Sequence, residues 1–145
     1  MFTHILLPTD GSNLSKTTVQ KGIQFAKTVK AKVTGLCVVP KWGYSIYESE
    51  VPGKFKDEAA VELKAKAEGH LSAISKAAKE AGVSCEVMLE TTDQPYEAII
   101  NAADQKGCDL IMMASHGRRG VGALLIGSET QKVLTHSKVP VLVYR

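Results

Sequence analysis

The sequence predicts a single α/β domain in which helices cover both faces of a doubly wound, five-stranded parallel sheet. Short apolar runs alternate with longer segments whose apolar residues recur every three or four positions, as they do in repeated βαβ units. The length of 145 residues is that of one domain, and 44% hydrophobic with 23% charged residues is an ordinary globular composition. We therefore treat residues 1–145 as one domain with a packed core.

Five apolar runs are the candidate strands, and they are Ile5–Leu7, Val33–Val39, Val83–Leu89, Leu110–Ala114 and Val139–Tyr144. The second and the last are nearly continuous, as expected of strands that are buried on both faces of a parallel sheet. In an open sheet with the strand order 3-2-1-4-5, the first and fourth strands are neighbours. Residues that follow these two strands should then meet at one edge of the sheet.

Four helices are predicted between and after the strands. Ser12 or Asn13 can cap the first helix, and the second spans about Glu58–Ala81 and ends at a glycine suited to a left-handed cap. The third spans about Pro95–Lys106, with proline in its first turn, and the fourth begins at Ser128.

The segment Lys41–Asp57 does not fit the alternation, because it contains two glycines, Pro52 and several aromatic residues without a regular period. We expect a long loop here. Loops of this length in compact domains often bind or cover ligands, although aromatic side chains can also pack such a loop against the body. The sequence leaves both roles open.

Charge and hydropathy argue against several kinds of partner. The formal net charge of +3 is small and the basic residues are scattered, so we predict no nucleic-acid partner. No apolar run approaches the ~20 residues of a membrane span, and the start of the chain does not resemble a secretion signal. We expect no membrane partner and a cytoplasmic location.

The cysteines and histidines do not form a recognisable metal site. Cys37, Cys85 and Cys108 lie far apart, in or beside apolar runs, and we expect them to be small buried hydrophobic residues. The four histidines are not at zinc-ligand spacing with one another or with a pair of cysteines. No zinc site is therefore predicted.

A glycine-rich loop spans Ala114 to Ser128, from the end of the fourth predicted strand to the start of the fourth predicted helix, with glycines at positions 117, 120, 122 and 127. Glycines let the backbone approach a ligand closely, and the N–H groups and dipole of the following helix favour negative charge. A phosphate group is the expected ligand.

The two commonest phosphate loops do not match this segment. Gly122 and Gly127 have the spacing of a P-loop, but Ser128 occupies the position of its lysine. The dinucleotide pattern G-x-G-x-x-G also fails, because Gly120 and Gly122 are followed by Leu125. A Walker-type NTPase and a nicotinamide-dependent enzyme are both disfavoured.

Three polar residues near this loop have open roles. Ser128 opens a Ser-Glu-Thr-Gln pattern that predicts a capping box, and its hydroxyl could also donate to a phosphate, as could that of Thr130. Asp10 follows the first strand and is either a turn residue, a ribose or adenine contact, or a ligand of a hydrated magnesium ion.

Over Phe2–Arg145 the sequence resembles the universal stress proteins. Nucleotide-binding members of that family carry G-x2-G-x9-G-[S/T], and the corresponding segment here is Ala114-x2-Gly117-x9-Gly127-Ser128. The opening LLPTDGS at Leu6–Ser12 and the closing KVPVLV at Lys138–Val143 are also typical of the family. Ala114 departs from the motif, and its methyl group could narrow the space beside a nucleotide.

The resemblance implies an adenine-nucleotide site that holds ATP or AMP, with magnesium as an additional possibility at Asp10. It implies that the nucleoside is contacted by Thr9 and Asp10, that adenine meets the main chain of Val38, and that the phosphates are surrounded by Gly117, Gly127, Ser128, the backbone of Glu129, and Thr130. Ala114 lies in the same motif, and Arg118 is expected to face the phosphates or the solvent.

The preferred interpretation is a nucleotide-responsive stress protein that forms a homodimer through its last strand, with an unidentified protein partner. One alternative is a slow magnesium-dependent ATPase, and another is a stress-induced interaction protein whose pocket stays empty. We assign no catalytic residue, because no nucleophile with an orienting acid is evident near His116. Any ATP hydrolysis should be very slow without a P-loop lysine.

Overall fold

The computed structural model describes residues 1–41, 53–117 and 125–145, and for residues 53–57 it describes the backbone alone. The strands are β1 (His4–Thr9), β2 (Lys32–Val39), β3 (Cys85–Thr91), β4 (Leu110–Ala114) and β5 (Val141–Tyr144). The helices are α1 (Asn13–Val29), α2 (Gly53–Ala81), α3 (Pro95–Lys106) and α4 (Ser128–His136). Within the described residues no helix has the length and apolar character needed to cross a membrane.

The five strands form one parallel sheet in the order β3-β2-β1-β4-β5, which confirms the predicted fold class. β1 and β2 pair over the whole of β1, from His4 opposite Lys32 to Thr9 opposite Cys37. β1 and β4 pair only at Ile5 and Leu6, opposite Leu110 and Ile111. Beyond those positions the C-terminal parts of β1 and β4 are not paired with each other, which leaves room for a ligand where the strand order reverses.

The core has two parts, one on each face of the sheet. Ile5 and Leu7 point to the face covered by α1 and α2, whereas Leu6 points to the face covered by α3 and α4. This alternation follows from the pleat of a strand, in which successive side chains point to opposite faces. All three side chains are fully buried, so β1 is the central strand of the domain.

α2 begins at Gly53, and the prediction of a loop that extends to Asp57 was wrong. Glycine counts against a helix in the sequence pattern, although it is tolerated at a helix N-terminus. The rest of that predicted loop, residues 42–52 with Trp42, Tyr44 and Tyr47, lies outside the described residues.

Two strands begin later than predicted, for local reasons. The N–H of Val83 donates to the carbonyl of Ala78 at 2.8 Å, so Val83 closes the end of α2 and is not part of β3. Pro140 has no N–H group to contribute to a ladder, and β5 begins after it at Val141.

Two predicted helix caps are confirmed, Ser12 before α1 and the left-handed glycine after α2, and the capping box at Ser128 is wrong. The Ser12 side chain accepts a hydrogen bond from the N–H of Ser15, and Gly82 and Gly107 follow α2 and α3 with left-handed φ angles of 73° and 69°. α4 begins at Ser128 as predicted, but its N-cap is Gly127 and no side chain caps it. Ser128 is already helical, so it cannot form the predicted capping box.

The three cysteines are free thiols. Cys37 and Cys108 are buried as predicted, whereas Cys85, on the edge strand β3, is only half-buried. Burial raises the pKa of Cys108 to about 11. That thiol is therefore protonated at neutral pH and unreactive.

Candidate functional site

The turn after β1 holds the Asp10 carboxylate in a fixed position. The N–H of Ser12 donates to Asp10 Oδ1 at 2.9 Å, and the N–H of Gly11 donates to Thr9 Oγ1 at 3.2 Å. Thr9 Oγ1 also lies 2.7 Å from Ser15 Oγ in the first turn of α1. Gly11 has a φ of 78°, which few residues other than glycine adopt. Local hydrogen bonds thus order both Thr9 and Asp10.

The second oxygen of Asp10 faces the glycine-rich loop. Asp10 Oδ2 lies so close to Gly117 that a Cβ atom at position 117 would overlap it. Sequence analysis predicted that these two residues meet at the C-terminal edge of the sheet, and the structure places them in contact. A glycine is required at position 117 as long as Asp10 keeps this position.

The two described ends of the glycine-rich loop are joined by a hydrogen bond. The N–H of Gly127 donates to the carbonyl of Ser115 at 2.7 Å. A Cβ atom at position 127 would lie 3.2 Å from the Cα of His116 and 3.3 Å from the carbonyl oxygen of Ser115. Gly127 therefore permits a close backbone approach. Arg118 and the predicted loop glycines at positions 120 and 122 lie outside the described residues.

The N-terminus of α4 presents backbone donors beside this contact. The first hydrogen bond within α4 runs from the N–H of Gln131 to the carbonyl of Gly127 at 3.0 Å. The N–H groups of Ser128, Glu129 and Thr130 therefore have no acceptor within the helix. Together with the helix dipole, such groups favour an anion.

The side chain of Thr130 has a structural contact in this region. Its hydroxyl donates to the carbonyl of Ala114 at 3.0 Å, and the residue is 3% exposed. This bond holds α4 against the last residue of β4. We therefore keep Thr130 in the candidate site through its backbone N–H alone.

The Glu129 carboxylate is engaged by α3 and by its own helix. Glu129 Oε2 accepts a hydrogen bond from the N–H of Tyr96 at 3.0 Å, and Oε1 lies 3.2 Å from Lys132 Nζ. With its side chain so engaged, Glu129 has its backbone N–H left for a ligand, which is the role that the resemblance implies.

Val38 lies at the same edge of the sheet as Asp10. It follows Cys37, which is the register partner of Thr9, and it is half-buried near the end of β2. Ala114 ends β4 opposite Tyr144 and is also half-buried. The predicted contacts from β1, β2 and β4 therefore come from three adjacent strand ends.

His70 was missed by the sequence analysis. Its imidazole, on α2, packs directly on Gly11, so that a Cβ atom at position 11 would overlap the ring. No motif surrounds His70 in the sequence. Its spacing of three and four residues from Ala67 and Ile74, on the buried stripe of α2, was the available signal.

Two other chemical predictions can be placed. His116 Nδ1 lies 3.2 Å from the hydroxyl of the buried Ser115, a pairing that the sequence analysis did not consider. Among the described residues, no group of three or more acidic, histidine or cysteine side chains could hold a metal ion. The structure thus gives no support to magnesium at Asp10.

Solved structures with the same fold are universal stress proteins and related chains. The structure of MJ0577, a universal stress protein of Methanocaldococcus jannaschii, superposes with a TM-score of 0.83 at 30% identity and covers 99% of this chain and 95% of that one. Two universal stress proteins share the fold at lower identity. One of them, solved in complex with cAMP, is 23% identical to this chain and superposes with a TM-score of 0.67. The match covers 99% of this chain and 97% of that one. The other, from Archaeoglobus fulgidus, is in complex with dAMP at 18% identity and a TM-score of 0.67, with 100% and 98% covered.

Curated relatives match over the full length of the chain. A universal stress protein of Thermus aquaticus is 33% identical and covered completely, as is this chain. The universal stress protein MJ0531 of Methanocaldococcus jannaschii is 31% identical over 100% of this chain and 83% of its own length. The sequence profile of the universal stress protein family matches residues 1–145. The chain therefore belongs to the universal stress protein family.

Proposed function

We propose that this protein binds an adenine nucleotide, ATP or AMP, and acts as a nucleotide-responsive module of the stress response. The observation that carries the proposal is the contact of Asp10 with Gly117 at the edge of the sheet. This contact brings a candidate ribose-binding carboxylate beside a glycine-rich loop and the N-terminus of α4. Universal stress proteins of the same fold in complex with cAMP and dAMP add support.

In the proposed complex, the phosphates lie at the N-terminus of α4. The backbone N–H groups of Ser128, Glu129 and Thr130 have no acceptor within the helix, and the exposed hydroxyl of Ser128 adds a side-chain donor. The ribose lies toward Thr9 and Asp10, and adenine lies toward the main chain of Val38. We include no magnesium ion in this proposal.

The protein is proposed to be a binding module and not an efficient hydrolase. Ser128 occupies the place of the lysine in a Walker-type loop, and Lys132, the lysine of α4, is paired with Glu129. Phosphoryl transfer needs positioned cations and an oriented water molecule. The described residues at this edge supply backbone donors and the carboxylates of Asp10 and Glu129, which accept hydrogen bonds from the N–H groups of Ser12 and Tyr96.

We further propose that the protein is a cytoplasmic homodimer joined through β5. β5 is an edge strand, and its Leu142 is 37% exposed. An apolar edge strand with open hydrogen-bonding groups is a template for pairing with a second copy.

The test is to purify the protein without added nucleotide, denature it, and identify the released molecules by chromatography and mass spectrometry. We expect an adenine nucleotide from the wild type and none from Gly127→Val. Calorimetric titration with AMP and ATP follows on protein stripped of ligand. A folded wild type that releases no nucleotide and binds neither AMP nor ATP would contradict the proposal and favour the empty-pocket interaction protein.

A further inference from the structure

The first turn of α3 is capped by a residue from another helix. Gln94 is the N-cap of α3, but its side chain makes no capping hydrogen bond. The N–H of Tyr96 instead donates to Glu129 Oε2 at 3.0 Å. A carboxylate near a helix N-terminus also interacts favourably with the helix dipole. Glu129 therefore joins the start of α4 to the start of α3.

Neighbouring side chains strengthen this link. Lys132 Nζ lies 3.2 Å from Glu129 Oε1 and 5.5 Å from the centre of the Tyr96 ring. The Tyr96 ring in turn lies 5.4 Å from the ring of His136, at the last residue of α4. One face of α4 is thus held against α3 from its first turn to its last.

The first turn of α4 has two further attachments, both to the end of β4. The N–H of Gly127 donates to the carbonyl of Ser115 at 2.7 Å, and the hydroxyl of Thr130 donates to the carbonyl of Ala114 at 3.0 Å. Glu129 supplies the connection to α3. Without the Glu129 carboxylate, the first turn of α4 would keep its hydrogen bonds to the end of β4 but would lose its hydrogen bond to α3.

We propose that Glu129 is a positioning residue for the phosphate group of the ligand. Its carboxylate, bonded to the N–H of Tyr96, holds the first turn of α4 so that the backbone N–H groups of Ser128–Thr130 meet the phosphate. This role rests on the nucleotide site proposed above. A purely electrostatic role of Glu129 would have the opposite effect on affinity. A carboxylate beside a bound anion weakens binding, so that its removal would tighten binding.

Four variants separate these possibilities. Glu129→Ala removes both the acceptor and the charge, Glu129→Gln keeps an acceptor of similar reach without the charge, and Glu129→Asp keeps the charge on a shorter side chain. Glu97→Ala is the matched control, because Glu97 is also in the first turn of α3 and accepts a hydrogen bond from the Tyr96 hydroxyl at 3.1 Å.

Each variant is titrated calorimetrically with adenosine, AMP and ATP, after circular dichroism has shown that it is folded. We expect Glu129→Ala and Glu129→Asp to bind AMP and ATP about tenfold more weakly, the size of one charge-assisted hydrogen bond. Adenosine, which has no phosphate, should bind all variants like the wild type. Glu129→Gln should recover most of the AMP affinity, and Glu97→Ala should not change it.

Several results would overturn the proposal. Tighter or unchanged AMP binding by Glu129→Ala would show that the carboxylate does not position the phosphate subsite. An equal loss for adenosine and AMP would show a general structural effect. If Glu129→Ala does not fold, the same conclusions are drawn from Glu129→Asp. A wild type that binds none of the three ligands overturns the proposed function and this inference with it, whereas failure of the variants alone overturns only the inference.

Discussion

Asp10 Oδ2 lies against the backbone of Gly117, and the space between them is too small for a Cβ atom. The two residues follow different strands, β1 and β4, which are neighbours in the sheet although far apart in the sequence. Their contact closes the candidate site on one side.

Gly117→Ala should displace the Asp10 carboxylate and weaken nucleotide binding, because the added methyl group occupies the position of Oδ2. We expect the loss of stability to stay below about 1 kcal/mol, because Gly117 is exposed and Oδ2 is the end of a side chain that can rotate away. Urea unfolding and calorimetry with AMP measure the two effects. The control is Gly69→Ala on α2, where a Cβ meets nothing within 4 Å. That change should stabilise the protein by up to about 1 kcal/mol and leave AMP binding unchanged. Equal AMP affinity in both variants would remove Asp10 from the site.

Gly127→Val should abolish nucleotide binding while the fold survives. Gly127 has φ of −60° and ψ of 153°, which any residue can adopt, so backbone strain plays no part. Crowding is the cause, since a Cβ would already lie 3.2 Å from the Cα of His116, and valine adds two methyl groups. Calorimetry with AMP and a circular dichroism spectrum test this. Unchanged affinity in the folded variant would place the phosphates elsewhere.

Acidification below the ordinary histidine range should destabilise the protein through His4. His4 is 2% exposed, its Nε2 lies 2.7 Å from Thr34 Oγ1, and its buried Nδ1 has no hydrogen-bond partner among the described residues. Burial, together with the nearby Lys32, lowers the pKa of His4 below 6.5. Because the unfolded chain then takes up the proton first, stability is complete above about pH 6.5 and falls as the pH drops through the lowered pKa.

The measurement is urea unfolding at several pH values between about 5 and 8 for the wild type and His4→Gln. One proton limits the slope to about 1.4 kcal/mol per pH unit. The variant should lose this slope. Burial raises the pKa of Asp109, but hydrogen bonds from His4 and Thr3 outweigh it and lower that pKa below its ordinary value. The Asp109 carboxylate therefore contributes a separate loss of stability at more acidic pH. Parallel curves for the two proteins between pH 5 and 6.5 would argue against His4 as the source.

Leu142→Lys should convert the proposed homodimer into a monomer. Leu142 lies on the edge strand β5 and is 37% exposed, so a lysine is tolerated in the monomer but adds charge to an apolar pairing edge. Sedimentation velocity at micromolar concentration gives the assembly state. Val61→Lys is the control, since Val61 is 69% exposed on α2. A monomeric wild type, or a dimeric Leu142→Lys, would exclude β5 as the interface.

ATP turnover by the purified protein should be slower than about 1 per second, the low end of ordinary enzymes. The described part of the site offers backbone N–H donors, and Lys132 of α4 is already paired with Glu129. Phosphate release over hours measures the rate. An Asp10→Ala sample prepared in the same way identifies contaminating activity. Faster turnover that disappears in this variant would favour the hydrolase over the binding module.

The alternation of apolar runs and helical segments was sufficient to predict the α/β class, and the strand order was taken from the doubly wound arrangement of that class. Asp10 and Gly117 were expected at one edge of the sheet because they follow the first and the fourth strand. The cap at Ser12 and the left-handed Gly82 were predicted from equally local patterns. Hydrophobic periodicity thus predicts the fold, and motif spacing predicts part of the candidate site.

What was missed depends on contacts between distant segments. The carboxylate of Glu129 accepts a hydrogen bond from Tyr96 on another helix. The ring of His70 packs on Gly11, although α1 and β2 separate the two residues in the sequence. No local pattern encodes such pairs. The capping box failed at Ser128 for a related reason, since the hydrogen bond from Gly127 to Ser115 sets where α4 begins.

The short pairing of β1 with β4 divides the sheet into two sections that share few backbone hydrogen bonds. β3, β2 and β1 form one section, and β4 and β5 form the other. A molecule that touches Asp10 on one side and Gly127 on the other would bridge this seam, and its binding energy would oppose every partial opening along it. Resistance to proteases would then rise when the site is filled, so that the lifetime of the protein would itself depend on its ligand.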